Sequence, residues 1–212
     1  MAKKIKEDIV LIGGGGHAKV VIDAVRKVKK IRIYGIVDSK LRKGDSFLGV
    51  PILGDDSVLP ELFKKGIKKA FIAVGSIGGC SIRKKLYANL KNIGFELPAI
   101  KHQGAVIAGD VKIGEGSFVA AGAVINPGVK IGKNVIINTR ASIDHDCEIG
   151  DFVHIAPGVT LSGGVKIDKE THVGTGANII QYVKIGKGCL ISAGSTIIRN
   201  VADKENNCEF KK

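Results

Sequence analysis

The sequence has no tryptophan, one methionine, five prolines and four cysteines in 212 residues, and only 5% of it is aromatic. With so few rings it lacks the stacking platform that single-stranded nucleic acid needs. Cys80, Cys147, Cys189 and Cys208 form no CxxC pair and no zinc-binding rhythm. That argues against a disulfide framework and for a reducing, cytoplasmic setting. Long apolar runs are also missing. Charges interrupt each stretch before it could span a bilayer, and the N-terminus does not have the order of a signal peptide, so no membrane insertion is expected. Acidic residues are scarce, 20 against 33 basic ones, for a net charge of +13. Most of the excess lies in the first hundred residues, as scattered pairs such as Lys64-Lys65 and Lys68-Lys69 on helix faces. Such a distribution suits small anionic ligands, nucleotides among them, and no nucleic-acid partner is expected.

What is present is a period of six. From Ile107 to Ile197 every sixth residue is aliphatic, and four places after each stands a small or β-branched residue such as Ala123, Ala141, Cys147, Val159 or Ala177. Six fits neither the 3.6 of a helix nor the 2 of an ordinary strand. It fits a solenoid of short strands and tight turns, three hexads to a coil and a little over five coils. Glycine follows many of the aliphatic positions (Gly114, Gly132, Gly150, Gly174, Gly186), and Asn134, Gly158, Gly176 and Gly188 recur at the corners. Both sets are expected to supply the backbone angles of the turns. Cys147 and Cys189 fall on inward positions, as small apolar fillers. No hexad carries an insertion, so functional groups should sit on corners and faces.

Residues 1–98 read differently, as strands alternating with helices. Ile9 to Ile12, Ile31 to Val37 and Ala70 to Val74 read as three strands; Lys19 to Arg26, Leu59 to Lys65 and Ser81 to Ile93 read as helices. This pattern implies a small parallel sheet covered on both faces. The chain is therefore expected to be α/β, with a small Rossmann-like N-terminal domain over 1–98 and a parallel β-helix of hexapeptide repeats over 99–212.

Three groups could carry chemistry. Gly13, Gly15 and Ala18 form a G-x-G-x-x-A turn between the first strand and helix, and Asp38 ends the second strand twenty residues later. Amides at the helix N-terminus would receive phosphate, and the carboxylate would accept from ribose hydroxyls; the competing reading is a plain tight turn. The domain is too short for a second mononucleotide half, which favours one nucleotide over NAD. His17, beside the turn, is placed to contact a phosphate. His145 stands at a corner between Asp144 and Asp146, where a carboxylate would fix its tautomer and raise its basicity, as a general base requires; the competing reading is a solvated surface histidine. His154 and His172 are one coil apart and should stack on one edge. No third ligand at metal-binding spacing accompanies them, so no metal site is expected.

Together these stretches resemble the sugar O- and N-acyltransferases of the left-handed β-helix class. The resemblance runs through Gly13-Gly14-Gly15-Gly16-His17-Ala18-Lys19-Val20-Val21, Gly35-Ile36-Val37-Asp38, Phe47 to Gly54, Val135 to Thr139, Ile143-Asp144-His145-Asp146 and Ile149 to Gly158. It implies a homotrimer that takes acetyl-CoA as co-substrate and acetylates the amino group of a nucleotide-linked sugar, a UDP-linked 4-amino sugar being the first expectation. His145 matches the general base and Asp146 the acidic residue after it. His154 matches a histidine near the acyl group of acetyl-CoA, and Asn138 a polar residue near the sugar. Gly15, His17 and Asp38 match the nucleotide-contacting positions, to which the glycine turn adds Gly13. Transfer would be direct, without metal or covalent enzyme intermediate, His145 taking a proton as the amine attacks the thioester and a backbone amide or His154 steadying the oxyanion. A prism of this kind also has no deep pocket of its own, which independently favours a cleft between copies.

Two departures stand out. The tail after Ile197 lacks the Gly-x-Pro-Ala-Lys-like segment that follows the last coil in the family, so a weaker or differently built CoA site is expected. Lys101-His102-Gln103 stands where a His-Pro pair is usual. The alternatives are O-acetylation of a sugar such as a sialic acid, which would lean harder on His145 as base, and a nucleotide-sugar-binding or assembly protein with transfer activity lost.

Overall fold

The computed structural model describes residues 7–28, 30–76 and 78–207. Two compact units emerge, one of Met1–Gly75 and Ser81–Gln103, the other of Ser76–Cys80 and Gly104–Lys212. Cys208 and the residues after it lie outside the described residues.

In the first unit β1 (Glu7–Ile12) leads into α1 (Gly16–Lys27) and β2 (Ile31–Val37), then a short β3 (Ser46–Phe47) and β4 (Val50–Gly54). After these come α2 (Leu59–Lys64), β5 (Lys69–Ile72) and α3 (Ser81–Ile93). The sheet order is β3-β4-β2-β1-β5, parallel except where β3 runs against β4. Central β1 is buried on both sides: Ile9, Val10 and Leu11 have no exposed surface. Val10 and Ile12 pack with Leu59 and Leu62 of α2 and Leu90 of α3, while α1 buries Ala18, Val21, Ile22, Ala24 and Val25. Each Val, Leu or Ile side chain among these contributes roughly 1.5–3 kcal/mol over an exposed one.

The sheet is larger than the three strands read from sequence. Pro51 argues against a strand over 50–54, because proline cannot donate to a ladder. Here β4 is nevertheless a strand, parallel to β2 on one side and joined to β3 by a two-residue turn on the other. Leu48 (φ 50°) and Gly49 (φ 72°) both take the left-handed conformation that such a hairpin turn demands.

The second unit is a left-handed parallel β-helix, with sixteen two-residue strands from Val106–Ile107 to Thr196–Ile197. In every one the second residue is the hexad aliphatic. Successive strands on a face pair in parallel eighteen residues apart, as Ile137 with Ile155. The aliphatics and the small residues four places on fill one continuous core, which includes Ile125, Ala141, Cys147, Ile155 and Ala177. Ser117 and Thr171 lie inside with their polar groups met: the Ser117 hydroxyl donates to the Gly132 carbonyl (2.8 Å) and accepts from the Val135 amide (2.9 Å). Thr171 makes the equivalent pair with Gly186 and Cys189.

The two glycine sets turn out to serve different purposes. Asn134, Gly158, Gly176 and Gly188 occupy a corner site with φ between 50° and 68°, as the turn reading requires. Gly114, Gly132, Gly150 and Gly186 do not take positive φ. A Cβ at Gly114, Gly132 or Gly186 would come within 2.4–2.5 Å of the next coil, and one at Gly150 within 2.6 Å. These glycines allow close stacking of coils and do not shape turns, which corrects the expectation for them.

The three faces differ outwardly. The first presents Val106, Val124, Ser142, Thr160, Asn178 and Thr196, all uncharged. On the second stand Lys112, Lys130, Glu148, Lys166 and Lys184, the last four along a groove of about 630 Å³. The third carries His154 and His172.

Candidate active site

At the nucleotide turn, Gly13 has φ 101°, and a Cβ there would lie 2.6 Å from Val74 Cγ2; a Cβ at Gly14 would meet Leu41 Cδ1 at 2.3 Å. Gly15 and Gly16, at the start of α1, face open space. The first two glycines are therefore set by packing, and the next two leave room where the α1 amides point, the place an anion would dock.

Asp38 is already engaged. Its Oδ2 accepts from the Gly14 amide at 2.7 Å, and its Oδ1 accepts from the amides of Lys40 (2.8 Å) and Leu41 (3.2 Å). The carboxylate ties the glycine turn to the loop after β2, so any ribose contact would add to this role. Beside it lies a pocket of about 320 Å³ lined by Ser39, Lys43, Asp55 and Ser57. His17 is held neutral: burial, reinforced by the nearby Arg83 cation, lowers its pKa from 6.5 to about 4. A phosphate would meet a neutral ring there, with Arg83 as the charge in its neighbourhood. Arg83 was not singled out from sequence. In α3 its spacing reads as a solvated helix face, yet it is 1% exposed.

In the β-helix unit, Asp144 Oδ1 accepts from the side-chain amide of Asn126 (2.8 Å) and from the His145 backbone amide (2.8 Å). His145 Nδ1 lies 2.9 Å from Asp146 Oδ2. An ionised carboxylate only accepts, so Nδ1 carries the proton and Nε2 offers a lone pair. The hydrogen bond to Asp146, with the charge of Asp144 behind it, holds the His145 pKa above the ordinary histidine value. Asp146 takes the left-handed corner conformation, φ 58°, which turns its carboxylate back on the ring. Both side chains are open to solvent, His145 at 54% and Asp146 at 72%. Cys147, one residue further on, points inward; burial raises its pKa to about 11, which makes it a poor nucleophile.

His154 is buried on the third face. Its Nδ1 lies 2.8 Å from the Ser76 carbonyl, and its Nε2 lies 3.3 Å from Asn138 Nδ2. Asn138 Oδ1 accepts from the Thr139 amide at 2.8 Å. The rings of His154 and His172 meet edge to face, centroids 4.7 Å apart, so the predicted stack exists. Asn138 and His154 are brought together. His145, nine residues before His154, is half a coil away on another edge. Among the described residues no three His, Cys, Asp or Glu side chains converge as a metal site, and no helix is long and apolar enough to cross a membrane.

Comparison with known proteins bears on this geometry. The family model described as the PglD N-terminal domain matches residues 8–90, and the bacterial transferase hexapeptide (six repeats) matches residues 128–163. Among solved structures, PerB from Caulobacter crescentus, in complex with CoA and GDP-perosamine, is 40% identical with a TM-score of 0.87 over 94% of this chain and 92% of its own. The acetyltransferase domain of PglB from Neisseria gonorrhoeae, in complex with acetyl coenzyme A, is 35% identical with a TM-score of 0.85 over 95% of each chain. WeeI from Acinetobacter baumannii is 27% identical, TM-score 0.78, over 93% of this chain and 94% of its own. Comparison with curated protein sequences gives no significant match.

Proposed function

This chain belongs to the left-handed β-helix sugar acyltransferases, acetyl-CoA-dependent enzymes of nucleotide-linked amino sugars, and we propose that it N-acetylates the amino group of such a sugar with His145 as general base. The observation that carries this reading is the hydrogen bond from His145 Nδ1 to Asp146, which leaves Nε2 free to accept a proton at an open corner. The neutral amine attacks the thioester carbonyl, forming the C–N bond. Nε2 takes the proton from the amine nitrogen, the tetrahedral species collapses with cleavage of the C–S bond, and the thiolate leaves to be protonated as CoA. Gly13, Gly15, His17 and Asp38 hold the nucleotide, the diphosphate docking on the amides beside Gly15 and Gly16.

The nucleotide is the part the sequence leaves open between UDP and GDP. PerB binds GDP-perosamine, which puts GDP-linked amino sugars ahead of the UDP-linked ones in our reading.

Self-association completes the site. His145 and His154 lie half a coil apart on one prism, so acetyl-CoA placed between them needs a second copy, and a cyclic trimer lets every copy contribute alike. The first face, without charge along its length, fits such a contact better than the lysine-bearing second face. Sedimentation of wild type and a Thr160→Glu variant tests this: a trimer that dissociates in the variant is expected, and a wild-type monomer with full turnover overturns it.

The deciding experiment follows thiol release from acetyl-CoA with a panel of GDP- and UDP-linked amino sugars, beside His145→Ala. Turnover with one sugar, lost by roughly a hundredfold or more in the variant, supports the reading. Equal rates in both proteins would remove His145 as base.

A further inference from the structure

The hydrogen bonds around His154 fix its proton. The Ser76 carbonyl can only accept, so the ring nitrogen facing it, Nδ1, carries hydrogen. Side-chain amides are often ambiguous in orientation, but Asn138 is not, because the Thr139 amide N–H at 2.8 Å must face an oxygen. That turns the Asn138 NH₂ group toward His154 Nε2, which receives it through a lone pair. His154 is thus held as the neutral tautomer with hydrogen on Nδ1.

We propose that Asn138 is a positioning residue for His154, and that His154 serves as a hydrogen-bond acceptor for an N–H group of the substrates. This departs from the two roles the family resemblance implies, a sugar contact for Asn138 and support of the oxyanion by His154. A ring with its lone pair at Nε2 repels a thioester oxygen, so the oxyanion falls to a backbone amide. At 3.3 Å the Asn138 contact is at the long end of a hydrogen bond, so an incoming N–H can take the lone pair in its place. Such donors exist on the pantetheine arm of acetyl-CoA and on the sugar amine. The role as acceptor rests on the acetyltransferase reading above, whereas the tautomer does not.

The test has two arms on the full-length protein. First, ¹⁵N-histidine labelling near neutral pH reads the His154 ring directly: the shift of a protonated Nδ1 and an unprotonated Nε2 is expected. In Asn138→Asp the introduced carboxylate still accepts from Thr139 but faces Nε2 as an acceptor, and Nε2 should become protonated. Wild-type His154 with hydrogen on Nε2 would overturn the proposal, whether or not the protein turns over any sugar. Second, Asn138→Asp should lower kcat about tenfold while KM for the nucleotide sugar changes by less than about twofold. A raised sugar KM at unchanged kcat would return Asn138 to the sugar. Titrating CoA and the nucleotide sugar separately against His154→Leu identifies the donor as the ligand whose affinity falls; if neither falls, the acceptor role is wrong.

Discussion

The imidazole of His145 rests over Gly163, one coil further along the β-helix. A Cβ at Gly163 would stand 2.7 Å from Nε2 and 2.8 Å from Cε1. The ring can lie against Asp146 because its neighbour below has no side chain. Gly163→Ala should push the exposed imidazole off Asp146 and lower kcat about tenfold. The thermal midpoint should hardly move, since the displaced ring is at a solvent-facing corner. Unchanged kcat would mean that the ring position does not matter to transfer.

The pH dependence follows from the sign of the His145 shift. A general base works deprotonated, so kcat should fall as pH drops through a pKa raised above the ordinary histidine value by Asp146 and then Asp144. Asp146→Asn removes the largest cause. The acidic limb of the pH–rate profile should therefore move to lower pH, with a reduced plateau because the tautomer is no longer fixed. A limb that moves upward would contradict the assignment.

The glycines of the turn separate folding from binding. Gly13→Ala combines φ 101° with a 2.6 Å approach to Val74 and should destabilise the protein by about 1–3 kcal/mol. Gly15→Ala meets open space; it should fold normally yet weaken nucleoside diphosphate binding, because the methyl intrudes on the docking surface. Chemical denaturation and calorimetric titration of GDP and UDP check the two halves. Equal effects of both variants on stability would refute the distinction.

His17 links stability to acidity. Its pKa is about 4 in the folded protein against 6.5 when exposed. Between those values the unfolded chain binds the proton and the folded one does not, so stability falls as pH drops from 6.5 to 4. The full loss is at most about 3 kcal/mol. His17→Gln should flatten that part of the stability profile; an unaltered slope would assign the effect elsewhere.

The β-helix was open to reading because its constraint is local and repeated: each hexad must put one aliphatic inward, and every one from Ile107 to Ile197 does so. His145 could be placed at a corner by counting from Ile143. The partners of His154 could not be found that way. Ser76 lies 78 residues away in sequence, and no periodicity marks a backbone carbonyl as an acceptor. Arg83 escaped for a similar reason, since its burial depends on what the rest of the fold brings over α3. The hairpin of β3 and β4 went unread, since two-residue β3 is too short to show a period and β4 carries a proline at position 51. Asp38 was singled out for a ribose contact, whereas its three backbone partners come from loops whose shape the sequence does not announce.

The column of bare glycines between coils has an evolutionary side. Since Gly114, Gly132, Gly150 and Gly186 admit the next coil only by having no side chain, a single methyl there is a severe change. Duplicating or losing eighteen residues, by contrast, preserves every stacking relationship on either side of the seam. A lineage built this way can drift in length by whole coils far more readily than it can vary at those positions, and the distance from the His145 corner to the end of the prism becomes an adjustable quantity.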